Sequence, residues 1–322
     1  MNRDRLRLLL GIALSAFALA AVLLTVDFAA LRAALAATPP RALAWAALWF
    51  ILAMLARAWA WRALLGPQVS LSTAFWALQV GFLLNNILPL RLGELARAWV
   101  VHREAGVSWP RALSSVALAR LADAGLLALL VVLAWPADAR LPRAVVWRAL
   151  IWAALALAVV VVLALLARAA WLRSLPARVR TVLREAGAVV HGPALARFAV
   201  GKVLTWALLA AYFAALARVW VPALTPRQAL WAMAASTLGI AAPSAPGYIG
   251  VYEAATVGVL AVLRVPQADA LAFALVQHGL YLLLTTALGL LALARLGWSR
   301  GRWRAELDTA QKAVSSTRRT QS

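Results

Sequence analysis

The stretch 85–97, NNILPLRLGELAR, decides how this chain can fold. It places two asparagines, a proline, a glutamate and two arginines between long runs of Ala, Leu, Val and Trp. Charged side chains are costly in hydrocarbon, and irregular backbone is tolerated at membrane depth only where it lines a cavity or is buried in protein. The stretch therefore predicts a break at the tip and exit of a helical hairpin.

The composition of the whole chain indicates a membrane protein. Of the 322 residues, 65% are hydrophobic, and the mean hydropathy is +0.85. Apolar runs such as 6–26 and 144–167 are long enough to cross a hydrocarbon core of ~30 Å, which takes about 20 helical residues. Strand-like alternation is absent, which argues against a barrel. We predict an all-α polytopic membrane protein.

The charge and residue usage exclude several kinds of site. The net charge of +21 comes mostly from arginines in loops and at helix ends, where topology and snorkelling explain them better than nucleic acid does. There is no cysteine, and the three histidines, His102, His191 and His278, are widely separated. No phosphate-binding loop, serine nucleophile motif or zinc-protease motif is found. We therefore expect no metal site, no cofactor and no catalytic residue.

Six full spans and two interrupted regions define the predicted topology. The full spans are 6–26, 42–62, 112–135, 144–167, 197–220 and 268–294. We interpret 6–26 as a retained span rather than a signal peptide, because no polar region follows its apolar run. The start, segment 168–197 and the tail are rich in arginine, which predicts that both termini are cytoplasmic in a cell membrane. Segments 71–90 and 228–263 are then either re-entrant hairpins or pairs of short crossings.

The two interrupted regions resemble each other. In each, a Pro-Gly element leads to a glutamate, Glu94 or Glu253, and the next span carries Arg120 or His278 at almost the same separation. The threading makes the copies enter from opposite faces, as in the inverted repeats of transporters. We predict a transmembrane domain at 1–298, with repeat one at 42–135 and repeat two at 197–294. We expect the basic tail, 299–322, to be disordered.

The residues after the first break are candidates for binding an anion. Pro89 favours a helix start, where free N–H groups attract anions, and Arg91 and Arg97 could grip a phosphate bidentately. Glu94 would be a counter-charge. The alternative is a solvated cytoplasmic helix with Glu–Arg pairs. The structural residues of this motif are Asn85, Asn86, Pro89 and Gly93, and we expect the two asparagines to cap the broken helix.

Charged residues inside the long spans are further candidates. Arg120 lies about 13 Å along its helix from Arg111, close to mid-bilayer, and shares a face with Asp123. Arg120 could face an anionic substrate group with Asp123 orienting it, or the two could form a structural ion pair. Glu253 could couple protons or pair with an arginine of repeat one. His278 could be a hydrogen-bonded packing residue or a proton relay.

The second break, APSAPGYIGVYE at 242–253, predicts flexible backbone and then a helix start near Gly250. Its glycines would permit close approach of another helix or a headgroup, and a tight turn is the alternative. The structural residues of this motif are Pro243, Pro246, Gly247 and Gly250.

Together these motifs resemble the lysylphosphatidylglycerol synthase transmembrane region family, over roughly residues 5–297. The first motif matches at Asn85, Pro89, Arg91, Gly93, Glu94 and Arg97, and the second matches at Pro243, Pro246, Gly247, Gly250 and Glu253. Two departures are His278, where the family suggests an arginine, and PGYIG, where PGGLG is more usual.

The resemblance implies a flippase-like membrane protein that handles lipids. We expect a flippase or transporter that moves an anionic or aminoacylated phospholipid, or another lipid-linked headgroup, between leaflets. No soluble synthase domain follows the last predicted span, so lysyl transfer is not expected. The alternative is an enzyme that modifies lipid headgroups, or a subunit that assists a separate synthase or glycosyltransferase. A third hypothesis is a structural or assembly factor without a substrate.

Overall fold

The computed structural model describes residues 38–88, 92–136, 176–188, 192–240 and 246–296, with a few isolated positions besides. These segments are helical. The helices are α1 Pro40–Leu65, α2 Leu71–Ile87, α3 Gly93–Ala105, α4 Trp109–Leu133, α5 Ala177–Ala188, α6 Gly192–Trp220, α7 Pro226–Gly239, α8 Val251–Val262 and α9 Gln267–Arg295, with a 3-10 turn at Pro246–Tyr248 before α8.

Four helices in the described part of the chain are long and apolar enough to cross a membrane: Pro40–Leu65, Trp109–Leu133, Pro193–Trp220 and Gln267–Arg295. They coincide with the predicted spans 42–62, 112–135, 197–220 and 268–294, so helical structure is confirmed for these four. The predicted spans 6–26 and 144–167 and the tail 299–322 fall outside the continuous described segments. The chain is a helical membrane protein.

Both interrupted regions are pairs of shorter helices. In the first, α2 ends at Ile87 and α3 begins at Gly93; in the second, α7 ends at Gly239 and α8 begins at Val251. The loops that enter α2 and α7 use the same device. The side chain of Ser70 accepts a hydrogen bond from the Thr73 amide, and Thr225 forms a capping box with Gln228. Such caps satisfy amides that the first turn of a helix leaves free.

We call α1–α4 the first half of the described chain and α6–α9 the second half. The first helices of these halves, α1 and α6, pack closely and run antiparallel. Ala60, near the end of α1, lies against Gly201, near the start of α6. Phe50, earlier in α1, has its ring 5.5 Å from that of Tyr212, later in α6. A Cβ built on Gly201 would come within 2.6 Å of the Ala60 methyl. Small residues allow such close approach between membrane helices.

Two further pairs of helices also pack against each other between the halves. Helix α2 packs against α9, and α7 packs against α4. Asn86 in α2 donates a hydrogen bond to Thr285 in α9 over 2.8 Å, and the Trp135 ring after α4 lies 5.6 Å from that of Trp231 in α7. The second helix of each half therefore packs on the fourth helix of the other half. This exchange brings both helix breaks to the interface between the halves.

Candidate functional site

The first helix break is closed by Asn85. Its side-chain oxygen accepts a hydrogen bond from the Gly93 amide over 2.9 Å, which satisfies a donor at the start of α3. Gly93 also lies directly against the Gly81 carbonyl, where a Cβ would not fit. The break therefore folds α3 back onto α2. Arg91 and Pro89 fall outside the described residues.

Glu94 joins two arginines just after this break. Its carboxylate accepts a hydrogen bond from Arg120 on α4, and Arg97 lies 2.6 Å from its second oxygen. Arg97 is buried, with its guanidinium 5.0 Å from the centre of the Trp61 ring. The Arg120 side chain is 38% exposed and that of Glu94 is 16% exposed. Arg120 is therefore the more accessible member of this group.

Asp123 is held mainly by α6 rather than by Arg120. Its Oδ1 accepts hydrogen bonds from Lys202 Nζ over 2.7 Å and from Trp206 Nε1 over 2.9 Å. The Arg120 guanidinium lies 3.9 Å from the other oxygen. Asp123 thus ties the two halves together through a buried ion pair. Lys202 was not among the predicted site residues, although a lysine inside a predicted span is typical of a functional site.

The second half contains the equivalent pair of a glutamate and a basic residue, with histidine in place of arginine. Glu253 accepts a hydrogen bond from the Gly250 amide over 2.6 Å at the start of α8, and its other oxygen lies 2.6 Å from His278 Nδ1 on α9. Both side chains are buried. Among the described residues, the ionisable partner of Glu253 is His278 and not an arginine of the first half. His278 contacts Glu253 as Arg120 contacts Glu94.

The backbone of the second break is strongly turned and touches the first. The φ angle is 70° at Gly247, 61° at Tyr248 and 85° at Gly250, and glycine adopts such positive values at low cost. A Cβ built on Gly247 would lie 3.5 Å from the Asn86 carbonyl oxygen. The two breaks therefore contact each other. Pro246 begins the 3-10 turn, and Pro243 lies outside the described residues.

A cavity of about 160 Å³ lies between the two halves. Both halves line it with polar, charged and aromatic side chains. These include Arg57, Phe82, Asn85 and Arg120 from the first half and Trp206, Tyr248, Tyr252, Gln277, His278 and Tyr281 from the second. Of the predicted site residues, Asn85, Arg120 and His278 are in its wall. Glu94, Asp123 and Glu253 contact wall residues, and Arg97 lies behind Glu94.

Arg57 is the main wall residue that sequence reasoning missed. It is 8% exposed, and its guanidinium carbon lies 5.3 Å from the Trp206 ring centre and 5.8 Å from that of Phe82. An arginine within the predicted span 42–62 is by itself an indication of a functional residue. Gln277 was also missed. Its backbone carbonyl oxygen accepts a hydrogen bond from the Tyr212 hydroxyl over 2.5 Å.

Among the described residues, the charged side chains that surround Glu94 and Asp123 do not balance. Four cations, Arg57, Arg97, Arg120 and Lys202, surround two carboxylates, Glu94 and Asp123. Excess positive charge in a low-dielectric interior favours an anion as ligand. No cluster of His, Asp and Glu suited to a metal occurs in the part of the chain that the structure describes. Among the described residues, positive charge therefore exceeds negative charge beside the cavity.

One protein-family model matches the chain. Its description is "Lysylphosphatidylglycerol synthase TM region", and the match covers residues 8–289. No curated protein and no solved structure matches the chain. The family match covers both helix breaks and the whole of the cavity wall.

Proposed function

The chain belongs to the lysylphosphatidylglycerol synthase TM region family, and from this premise we propose that it is a lipid flippase. The family makes it a membrane protein involved in lipid handling. Its substrate in this proposal is an anionic or aminoacylated phospholipid, or another lipid-linked headgroup, that crosses between leaflets. The protein would lie in the cell membrane with both termini in the cytoplasm.

The observation that carries the proposal is the cavity with cations in its wall, at the point where the two helix breaks meet. Hydrocarbon does not stabilise an isolated headgroup charge, so a lipid that crosses needs a polar path. Broken helices supply free backbone groups for such a path only where they line a cavity. Asn85 and Tyr248, one from each break, both line the cavity.

The packing of the halves supports an inverted repeat as the basis of movement. The antiparallel contact of Ala60 with Gly201 and of Phe50 with Tyr212 is what a two-fold axis in the membrane plane would produce. The reciprocal packing of α2 on α9 and α7 on α4 agrees with the same axis. In transporters of this plan, one repeat rocks against the other around a site near the midplane.

The predicted site residues receive distinct roles in this proposal. Arg120 contacts the headgroup phosphate from the cavity wall, and the sequence motif makes Arg91 a second proposed contact to the phosphate. Glu94 and Asp123 hold Arg120 as counter-charges, with Arg97 as second partner of Glu94. A separate synthase or glycosyltransferase would supply the lipid.

Transport in reconstituted vesicles tests the proposal. Protein-containing and protein-free vesicles would carry a trace of phosphatidylglycerol labelled on its acyl chain, and dithionite would bleach label in the outer leaflet. The experiment would be run with and without a proton gradient. The proposal predicts that label from the inner leaflet becomes bleached in vesicles that contain the protein, whereas it stays protected in protein-free vesicles. Equal protection in both kinds of vesicle, under both conditions, would contradict transport of this lipid class.

A further inference from the structure

Arg57 is a buried cation that makes no direct ion pair with any residue the structure describes. It lies in the second half of α1 and is 8% exposed. No hydrogen bond and no ion pair within 4 Å joins its guanidinium to another residue of the described segments, and its Nε is fully buried without a partner. Its contacts are with the rings of Trp206 and Phe82. An arginine held this way in a membrane protein marks a functional site by default.

Asp123, the carboxylate that interacts electrostatically with Arg57, is already engaged by other residues. Its partners are Lys202, Trp206 and Arg120. Lys202 adds a second positive charge to the same neighbourhood. The charge of Arg57 is therefore left for something that enters the cavity.

The cavity has the right chemistry and size for a phosphate ester. Arg57 and Arg120 line it from different helices, and two guanidinium groups can each offer paired N–H donors to phosphate oxygens. The cavity volume of about 160 Å³ leaves room for a phosphate group.

We propose that Arg57 anchors a phosphate ester in the central cavity, with Arg120 contacting the same group. The proposal deepens the proposed lipid transport, because it names the part of the lipid that the cavity holds. It also gives the two arginines different roles. Arg120 is tied to Glu94 and Asp123 before a ligand arrives, whereas Arg57, which makes no ion pair within 4 Å in the described segments, gains a direct ion-pair partner from the ligand.

Binding measured in detergent tests this without requiring transport. Isothermal titration of the purified full chain would use dihexanoyl-phosphatidylglycerol, inorganic phosphate and dihexanoyl-glycerol as probes. We expect the short-chain lipid to bind the wild type and to lose about tenfold or more in affinity with Arg57→Gln. The matched control is Arg41→Gln, which removes an exposed arginine from the same helix and should bind as the wild type does.

The three probes identify the source of the phosphate. Binding of the lipid and of inorganic phosphate, both dependent on Arg57, indicates a site for phosphate in general. Binding of the lipid alone assigns the site to a lipid headgroup. Both results support the proposal. Equal binding of dihexanoyl-glycerol, or unchanged affinity for the lipid and for phosphate in Arg57→Gln, would overturn it.

The stability of the ligand-free variant separates an anchoring role from a structural one. Because a buried charge without a partner is costly, we expect Arg57→Gln to melt at the same temperature as the wild type or higher. A lower melting temperature, or failure to fold in Arg57→Gln while Arg57→Lys folds and binds normally, would assign Arg57 a structural role and contradict the proposal. If Arg57 governs binding but the wild type moves no lipid, the inference stands and the transport proposal fails.

Discussion

The Glu94 carboxylate accepts a hydrogen bond from the Arg120 guanidinium, which lies 26 positions later and on the next long helix. In the second half, Glu253 makes the equivalent contact with His278, 25 positions later. Each glutamate follows a helix break, and each partner lines the central cavity. The two breaks are thus anchored to the cavity wall by the same kind of pair.

Neutralising Glu94 should loosen the first break. Glu94→Gln leaves Arg120 and Arg97 without their shared counter-charge, so we expect a loss of stability of about 1–3 kcal/mol. The melting temperature in detergent would fall measurably. Glu104→Gln, which removes a more exposed carboxylate from the same helix, should have little effect because exposed ion pairs contribute little. Equal effects of the two substitutions would show that the Glu94 contacts do not stabilise α3.

His278 should be replaceable by arginine but not by an apolar residue. His278→Arg recreates in the second half the pair that Glu94 and Arg120 form in the first, so we expect folding and lipid transport to be retained. His278→Leu leaves the buried Glu253 carboxylate without its side-chain partner, which should cost several kcal/mol if it stays charged. Melting temperatures and transport rates of both variants would check this. Loss of folding with arginine and retention with leucine would contradict it.

The close contact between the first helices should be sensitive to one methyl group. In Gly201→Ala the new Cβ meets Ala60 at 2.6 Å and the Ala60 backbone at 2.9 Å, so α1 and α6 must move apart. We expect a loss of about 1–3 kcal/mol, as for other overpacked sites. Gly258→Ala is the control, because a Cβ there meets no atom within 4 Å and alanine favours a helix. Unfolding midpoints of the two variants should therefore move in opposite directions.

Equivalent loops of the two halves should face opposite sides of the membrane. The chain has no cysteine, so single cysteines report without background. Gln68→Cys lies in the exposed loop before α2, and Ala223→Cys lies in the exposed loop before α7. The inverted repeat predicts that a membrane-impermeant maleimide labels Ala223→Cys in intact cells and labels Gln68→Cys only after the cells are opened. Labelling of both from the same side would rule out the inverted arrangement.

The sequence predicted the long helices and the breaks because those features are local. Apolar runs set the four described spans, and Asn85 and Gly250 marked the ends of broken helices. Asn86, which was also expected to cap the broken helix, instead donates a hydrogen bond to Thr285 of α9. The partners across the halves could not be predicted in the same way. Asp123 shares a helix face with Arg120, which suggested that pair, yet Lys202, 79 positions away, lies closer. Arg57 was missed because a single arginine near a span end also suits snorkelling.

The rate of lipid movement in Arg120→Gln tests the central claim most directly. The same vesicle assay would compare the wild type, Arg120→Gln and Arg41→Gln, each reconstituted at equal density and checked for folding by melting temperature. If lipid crosses through the cavity, Arg120→Gln should lower the initial rate about tenfold or more, and Arg41→Gln should keep the wild-type rate. Wild-type transport in a folded Arg120→Gln protein would show that lipid does not pass this cavity.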